Sequence, residues 1–143
     1  DWVAGEQFRI EGNQVKRIQG APRPSTHASY RRWLDLVFTY AGTMSLARDA
    51  AAPAIHSLVE AGEFYVEAGS PGHAVIVLDV VSNSEGVRLG LLGQGFMPAE
   101  DIHILRSTVA LDGVWFRLPE RADEALPTPS WKPFSARARR RLH

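Results

Sequence analysis

His73 and Gln94 are the residues whose types and spacing best suit chemistry. His73 follows the loop Ala68-Gly69-Ser70-Pro71-Gly72 and opens the apolar run Ala74-Val75-Ile76-Val77-Leu78. Gln94 closes the apolar stretch that returns after Ser82-Asn83-Ser84-Glu85-Gly86. A turn centred between Asn83 and Ser84 sets His73 opposite Gln94 in antiparallel register. Directly opposed Cβ atoms lie about 4.5–5.5 Å apart. A carboxamide at that distance orients an imidazole and selects its tautomer. That is two-thirds of a nucleophile–base–orienter triad. The plainer reading is a strand-end histidine with one structural hydrogen bond. The glycines before His73, and Gly95 after Gln94, would let a ligand approach the backbone. Ser70, Gly72, Gly95 and Met97 are the candidate ligand-loop residues.

The nucleophile is harder to find. The chain has no cysteine, which excludes disulfides, thiolate chemistry and Cys-based metal sites within these residues. Ser25, Ser29, Thr43 and Ser45 sit near expected helix starts, where capping is the ordinary role. No G-x-S-x-G elbow is present. Asp79 shares a face with His73 by the two-residue period, and the same register pairs it with Arg88. His73, Asp79 and His103 lack the convergent spacing of a metal site, and no motif points to a cofactor. His27, His56 and His143 read as surface or capping residues. Trp2, Trp33, Trp115 and Trp131 read as core or lid packing.

The elements that must position these residues follow from the pattern. The chain has 143 residues, 45% of them hydrophobic, with 16 basic and 16 acidic side chains. This suits one folded domain and gives no electrostatic case for a nucleic-acid partner. No apolar run approaches the length of a membrane span. Gln7–Ile10 and Gln14–Ile18 flank Gly12-Asn13 and predict a hairpin. Ser25 or Thr26 caps a helix whose apolar face is Tyr30, Leu34, Val37, Phe38 and Ala41, with Gly42 as a left-handed stop. Thr43 caps a second helix, Met44 to about Ala52, ended by Pro53. Ala54 to Ala61 is one more helical turn or an ordered loop. Strands are predicted at Phe64–Val66, Ala74–Val81, Val87–Gly93, Ile102–Leu105 and Val114–Leu118, with both faces of Ala74–Val81 buried. From Pro119 the chain reads as loop. Residues 136–143 form a basic tail that is solvated, touches phosphate or lipid headgroups, or docks on its own domain. Helices first and strands afterwards predict an α+β domain, N-terminal helices packed on an antiparallel sheet, spanning 1–143. Because the chain begins at Asp1, it reads as the C-terminal part of a larger domain or protein.

Several stretches resemble one bacterial family, domain of unknown function 4846. They are Phe38-x-Tyr40-Ala41-Gly42-Thr43-x-Ser45-Leu46, Gly62-Glu63-x-Tyr65-Val66, Gly69-x-Pro71-Gly72-His73-Ala74, Gln94-Gly95-x-Met97-Pro98-Ala99 and Trp131-x-Pro133-Phe134. The resemblance covers about Trp2 to Phe134. It implies a preceding segment with a Cys-Ala-Asp at a helix start, and an address in the cell envelope or periplasm. Gly62-Glu63 departs from the family's frequent Gly-Asp. A more distant likeness is to NlpC-type and CHAP-type papain-like peptidases and amidases. It implies a papain-like core, His73 as base, Gln94 as orienting residue and an upstream cysteine as nucleophile. Peptidoglycan or a peptide would be the ligand. The alternative is a non-catalytic envelope module that holds a ligand between the two Gly-rich loops.

Overall fold

The computed structural model describes residues 1–12, 14–96, 100–129 and 131–142. Two compact units divide the chain, residues 1–41 and 42–143.

In the first unit, β1 (Glu6–Glu11) and β2 (Gln14–Gln19) form the expected hairpin, from Glu6↔Gln19 to Glu11↔Gln14. Gly12, at φ +61°, adopts the left-handed backbone that a two-residue hairpin turn demands. Helix α1 (His27–Tyr40) begins where the cap predicts: the Thr26 side chain accepts the Ser29 N–H at 3.2 Å. Its end differs from expectation. Ala41 and Gly42 are both extended, Gly42 at φ −147°. The chain leaves α1 without a left-handed turn because Gly42 already serves as N-cap of the next helix. The Trp2 indole N–H donates to the Ser29 carbonyl at 3.1 Å. The Arg23 guanidinium stacks 3.7 Å over the Trp2 ring, tying the N-terminus to the helix start. Of the predicted apolar face, Leu34 and Val37 are half-buried, whereas Tyr30 and Phe38 are exposed.

The second unit opens with α2 (Thr43–Asp49), which packs against the sheet at β3. Ser45 caps it, accepting the Gly42 N–H at 3.0 Å, and Thr43 is its first helical residue. The helix stops short of Ala52 because Ala51 leaves to bridge to Arg141. Residues 54–61 are an ordered loop. The strands are β3 (Phe64–Glu67), β4 (His73–Ser82), β5 (Arg88–Gln94), β6 (His103–Ile104), β7 (Trp115–Arg117), β8 (Ala125–Thr128), β9 (Trp131–Ser135) and β10 (Arg139–Arg140). The main sheet runs β10-β3-β4-β5-β6, with β7 also on β5. Every pairing is antiparallel. The α+β class is the observed one.

The hairpin β8–β9 corrects the reading of this region as loop. Pro127 and Pro133 lie within it. Each side of a two-stranded ribbon is an edge, where a missing N–H removes no ladder bond. Leu126 and Phe134 from this hairpin complete the core with Tyr65, Val75, Val77, Leu92, Phe116 and Leu118. Residues 136–140 also join the fold. Ala136–Ala138 make a short 3-10 turn and β10 pairs with β3, so the Arg-rich end docks on its own sheet. The Arg140 Nε–H donates to the Ala47 carbonyl at 3.1 Å.

Two expectations about β4 change. Its outer face is not buried: Leu78 and Val81 are exposed, while Val75 and Val77 are in the core. The register is also shifted. Ile76 faces Gly93, where a turn centred on residues 83–84 would have placed Leu91. Asp79 faces Leu91 instead of Arg88. Two features cause this. A five-residue loop closes between Ser82 and Arg88, held by Asn83, whose side chain accepts the Glu85 and Val87 N–H groups. An irregularity between Val77 and Asp79 inserts an extra residue and reverses which side chains face inward. Asp79 therefore lies on the outer face and accepts the Val80 N–H at 2.8 Å. Arg88 donates to the Val59 carbonyl at 2.6 Å. The Asp79–Arg88 pair does not form.

Candidate functional site

His73 starts β4 and Gln94 ends β5, so both stand at the end of the hairpin opposite its turn. They are 7% and 4% exposed. The His73 Nε2–H donates to Gln94 Oε1 at 2.8 Å. The pair is real although the predicted register is not. A two-residue shift keeps every side chain on its face, so Gln94 remains a diagonal neighbour of His73. The three-residue displacement at Asp79 is odd, and that predicted pair is lost.

This hydrogen bond decides which nitrogen of a neutral imidazole carries the proton. With Nε2–H donating to the carboxamide oxygen, Nδ1 holds the lone pair. Among the described residues nothing donates to or accepts from His73 Nδ1. The ring is gripped by aromatic neighbours. Phe96 meets it edge-on with centroids 5.2 Å apart, Trp131 lies at 5.2 Å, and Phe134 stacks at 6.1 Å. These three rings restrict the imidazole plane and keep water from its faces.

The strand before His73 is positioned by close contacts. A methyl group on Gly72 would stand 2.1 Å from the Thr43 hydroxyl, and under 3 Å from the Gly69 and Glu67 carbonyl oxygens. Glycine is therefore required for the first residue of α2 to abut the loop that delivers His73. Ser70 is exposed on that loop, and Gly95 is exposed directly after Gln94. Gly72 and Gly95 thus flank the same end of the hairpin. Met97 lies outside the described residues, as does His143.

The remaining sequence candidates separate. Ser45 and Thr43 belong to the start of α2, and Ser29 bonds Trp2 within the first unit. His103 is the residue that sequence reasoning undervalued. It is the register partner of Gln94 on β6. The Gln94 Nε2–H donates to His103 Nε2 at 3.4 Å, and the His103 Nδ1–H donates to the Asp101 carbonyl at 3.1 Å. Phe96, Trp131 and Phe134 were also missed as site residues: Trp131 and Phe134 lie on β9, which reaches His73 only through the tertiary fold, and Phe96 follows Gln94 by two residues. Among the described residues no three His, Asp or Glu side chains converge on one point. Among the described residues no helix is long and apolar enough to cross a membrane.

The chain belongs to the family described as Domain of unknown function (4846), which it matches over residues 1–141. No curated protein and no solved structure matches it.

Proposed function

We propose that this chain carries the histidine half of a papain-like thiol hydrolase or acyltransferase centre, acting on peptide or peptidoglycan amide bonds of the cell envelope. The observation that carries the reading is the buried 2.8 Å bond from His73 Nε2–H to Gln94 Oε1. It leaves Nδ1 as the basic atom and holds the ring in place. The chain has no cysteine, so in this reading the thiol belongs to residues outside these 143.

The chemistry is that of a thiol–imidazole pair. Nδ1 takes the thiol proton as sulfur bonds to the amide carbonyl carbon. The resulting imidazolium is stabilised by Gln94 Oε1, which accepts its Nε2–H. As the C–N bond breaks, Nδ1–H passes its proton to the leaving amine. Water then attacks the thioester with His73 again as base, releasing the acid and restoring the thiol. The rings of Phe96, Trp131 and Phe134 keep the imidazole oriented through both halves.

The test is a full-length protein assayed on peptidoglycan fragments. A His73→Ala variant is expected to lose about 10²–10⁴-fold in turnover. Turnover at the wild-type rate in that variant refutes the reading. The non-catalytic envelope module draws on one observation, that the Ser70–Gly72 stretch and Gly95 flank the same end of the β4–β5 hairpin. Its signature is fragment binding by the wild type with no turnover.

A further inference from the structure

We propose that the cleft at the turn end of the β4–β5 hairpin binds a monocarboxylate carried on an apolar body, with Arg88 as the residue that meets its charge. The site is separate from that of His73. Arg88 is the first residue of β5 and Gln94 the last, so a strand rise of about 3.3 Å per residue puts the two roughly 20 Å apart.

The observation is a cation without a counter-ion. Arg88 is half-buried. It donates from Nη2 to the Val59 carbonyl at 2.6 Å, which fixes the guanidinium between the strand and the loop of residues 54–61. Its Nε–H is buried and has no acceptor among the described residues. Nη1 has none either, and it is not covered by protein. Arg139, on the same sheet, shows the closed alternative: a carboxylate and three further acceptors surround it. A partly desolvated charge with unmet donors is costly, and native proteins satisfy such groups with a water, an ion or a ligand.

The surroundings specify which of these. Arg88 lines a cleft of about 370 Å³, within the range of small-molecule sites, about 300–1,000 Å³. Leu58, Val59, Leu118 and Pro119 supply apolar walls. Water or a bare ion leaves those walls wet, whereas an apolar body covers them. A planar guanidinium matches a planar carboxylate in shape as well as charge, and the ligand meets it from the open Nη1 end. Glu120 lines the same cleft, and its carboxylate opposes a second negative charge on the ligand. A monoanion therefore fits and a phosphate dianion does not. His56 is exposed and also lines the cleft, where its ring offers a further polar contact.

The test follows backbone amide shifts of the ¹⁵N-labelled 143-residue chain during titration with N-acetyl-leucine, with N-acetyl-leucinamide as the uncharged control. Saturable shifts are expected with the acid at the amides of Val59, Gly86, Arg88 and Glu120, while those of His73 and Gln94 stay in place. The uncharged control should bind roughly 10- to 100-fold more weakly, the value of a charge-assisted hydrogen bond. Arg88→Met should weaken the acid by the same factor, with unchanged amide shifts in β3 verifying its fold, and Glu120→Gln should not weaken it. Octanoate run in parallel separates two sources of the carboxylate. Tighter octanoate names an acyl acid, tighter N-acetyl-leucine names a peptide carboxyl end, and both support the inference. Equal binding of acid and control overturns it, as do no saturable shift with either acid, shifts centred on His73, tighter binding of inorganic phosphate, or undiminished binding by a folded Arg88→Met. The comparison of acid and control in wild type decides the matter even where Arg88→Met does not fold.

Discussion

Two buried polar clusters lie on the same sheet, and they differ in how completely they are closed. At one end, Arg139 of β10 and Glu63 beside β3 are 5% and 2% exposed. The guanidinium stands 3.5 Å from the Glu63 carboxylate. It also donates to the Ser57 carbonyl at 2.9 Å, the Ala54 carbonyl at 2.8 Å and the Ser57 hydroxyl at 2.6 Å. The Glu63 carboxylate accepts the Glu60 N–H at 3.3 Å. At the other cluster, His73 gives one nitrogen to Gln94 and keeps the other without a partner among the described residues. The first arrangement satisfies its donors and pins a loop to a strand. The second holds a ring rigid and leaves one basic atom available. Closure of every polar valence marks structure; a rigidly held ring with one open nitrogen is what a reactive site requires.

The contrast can be broken experimentally, starting with the largest effect. Arg139→Ala should cost roughly 3–5 kcal/mol in denaturant unfolding, because it leaves the Glu63 carboxylate buried and unpaired. The double change Arg139→Met with Glu63→Leu should recover most of that loss, since removing both charges also removes the desolvation penalty. A double variant no more stable than Arg139→Ala contradicts the account of Arg139 as a closed ion pair.

Tyr65 reports on the same region at high pH. Burial is the main cause that pushes its phenol up to about 12, with the Arg139 charge opposing and Glu63 assisting. The raised folded value means that the phenol's contribution is fully present below about pH 10, the unfolded value. Above that the unfolded chain ionises first, so stability falls as pH rises through about 12. The loss by that point is at most about 3 kcal/mol. In Tyr65→Phe this alkaline limb should be absent, as measured by unfolding midpoints at about pH 9, 10 and 11, around the ordinary phenol range.

The open cluster should be cheaper to disturb. His73→Phe keeps an aromatic ring among Phe96, Trp131 and Phe134 and loses the hydrogen bond to Gln94 Oε1. About 1–3 kcal/mol is expected. Turnover of the full-length protein on peptidoglycan fragments should be lost in the same variant. A His73→Phe protein that unfolds as readily as Arg139→Ala would show that both clusters are structural. The smallest effect belongs to Lys132. Its ion pair with Glu67 lies beside the site, with the Lys132 side chain exposed and Glu67 half-buried. Lys132→Ala should change stability by less than about 1 kcal/mol.

Local signals were legible where neighbouring residues decide the outcome. Thr26 as cap, the hairpin around Gly12, and the Val- and Ile-rich β4 are all read from a few adjacent side chains. The partner of His73 was also legible, for a reason that tolerated error. Two residues of slip in the hairpin preserve the face, so Gln94 still reached the imidazole along the diagonal. Asp79 had no such protection, because the extra residue after Val77 turned its side chain outward. Nothing between Ala74 and Val81 announces that irregularity. The hairpin β8–β9 was hidden because its prolines read as loop, and they are tolerated as strand on an edge or at an irregularity such as the one between Leu126 and Thr128. The Arg-rich end reads equally well as a solvated tail, and it becomes a strand because β3 offers it a free edge.

By itself, then, the sequence determined the helix and strand inventory around the hairpin, the absence of a thiol, and the pairing of a histidine with a carboxamide. These follow from short-range periodicity and residue chemistry. Only the tertiary structure decided which nitrogen of His73 is open, that three rings enclose it, and that His103 stands behind Gln94. Those facts depend on side chains far apart in sequence. The contacts that set a tautomer run through space, and no local pattern records them.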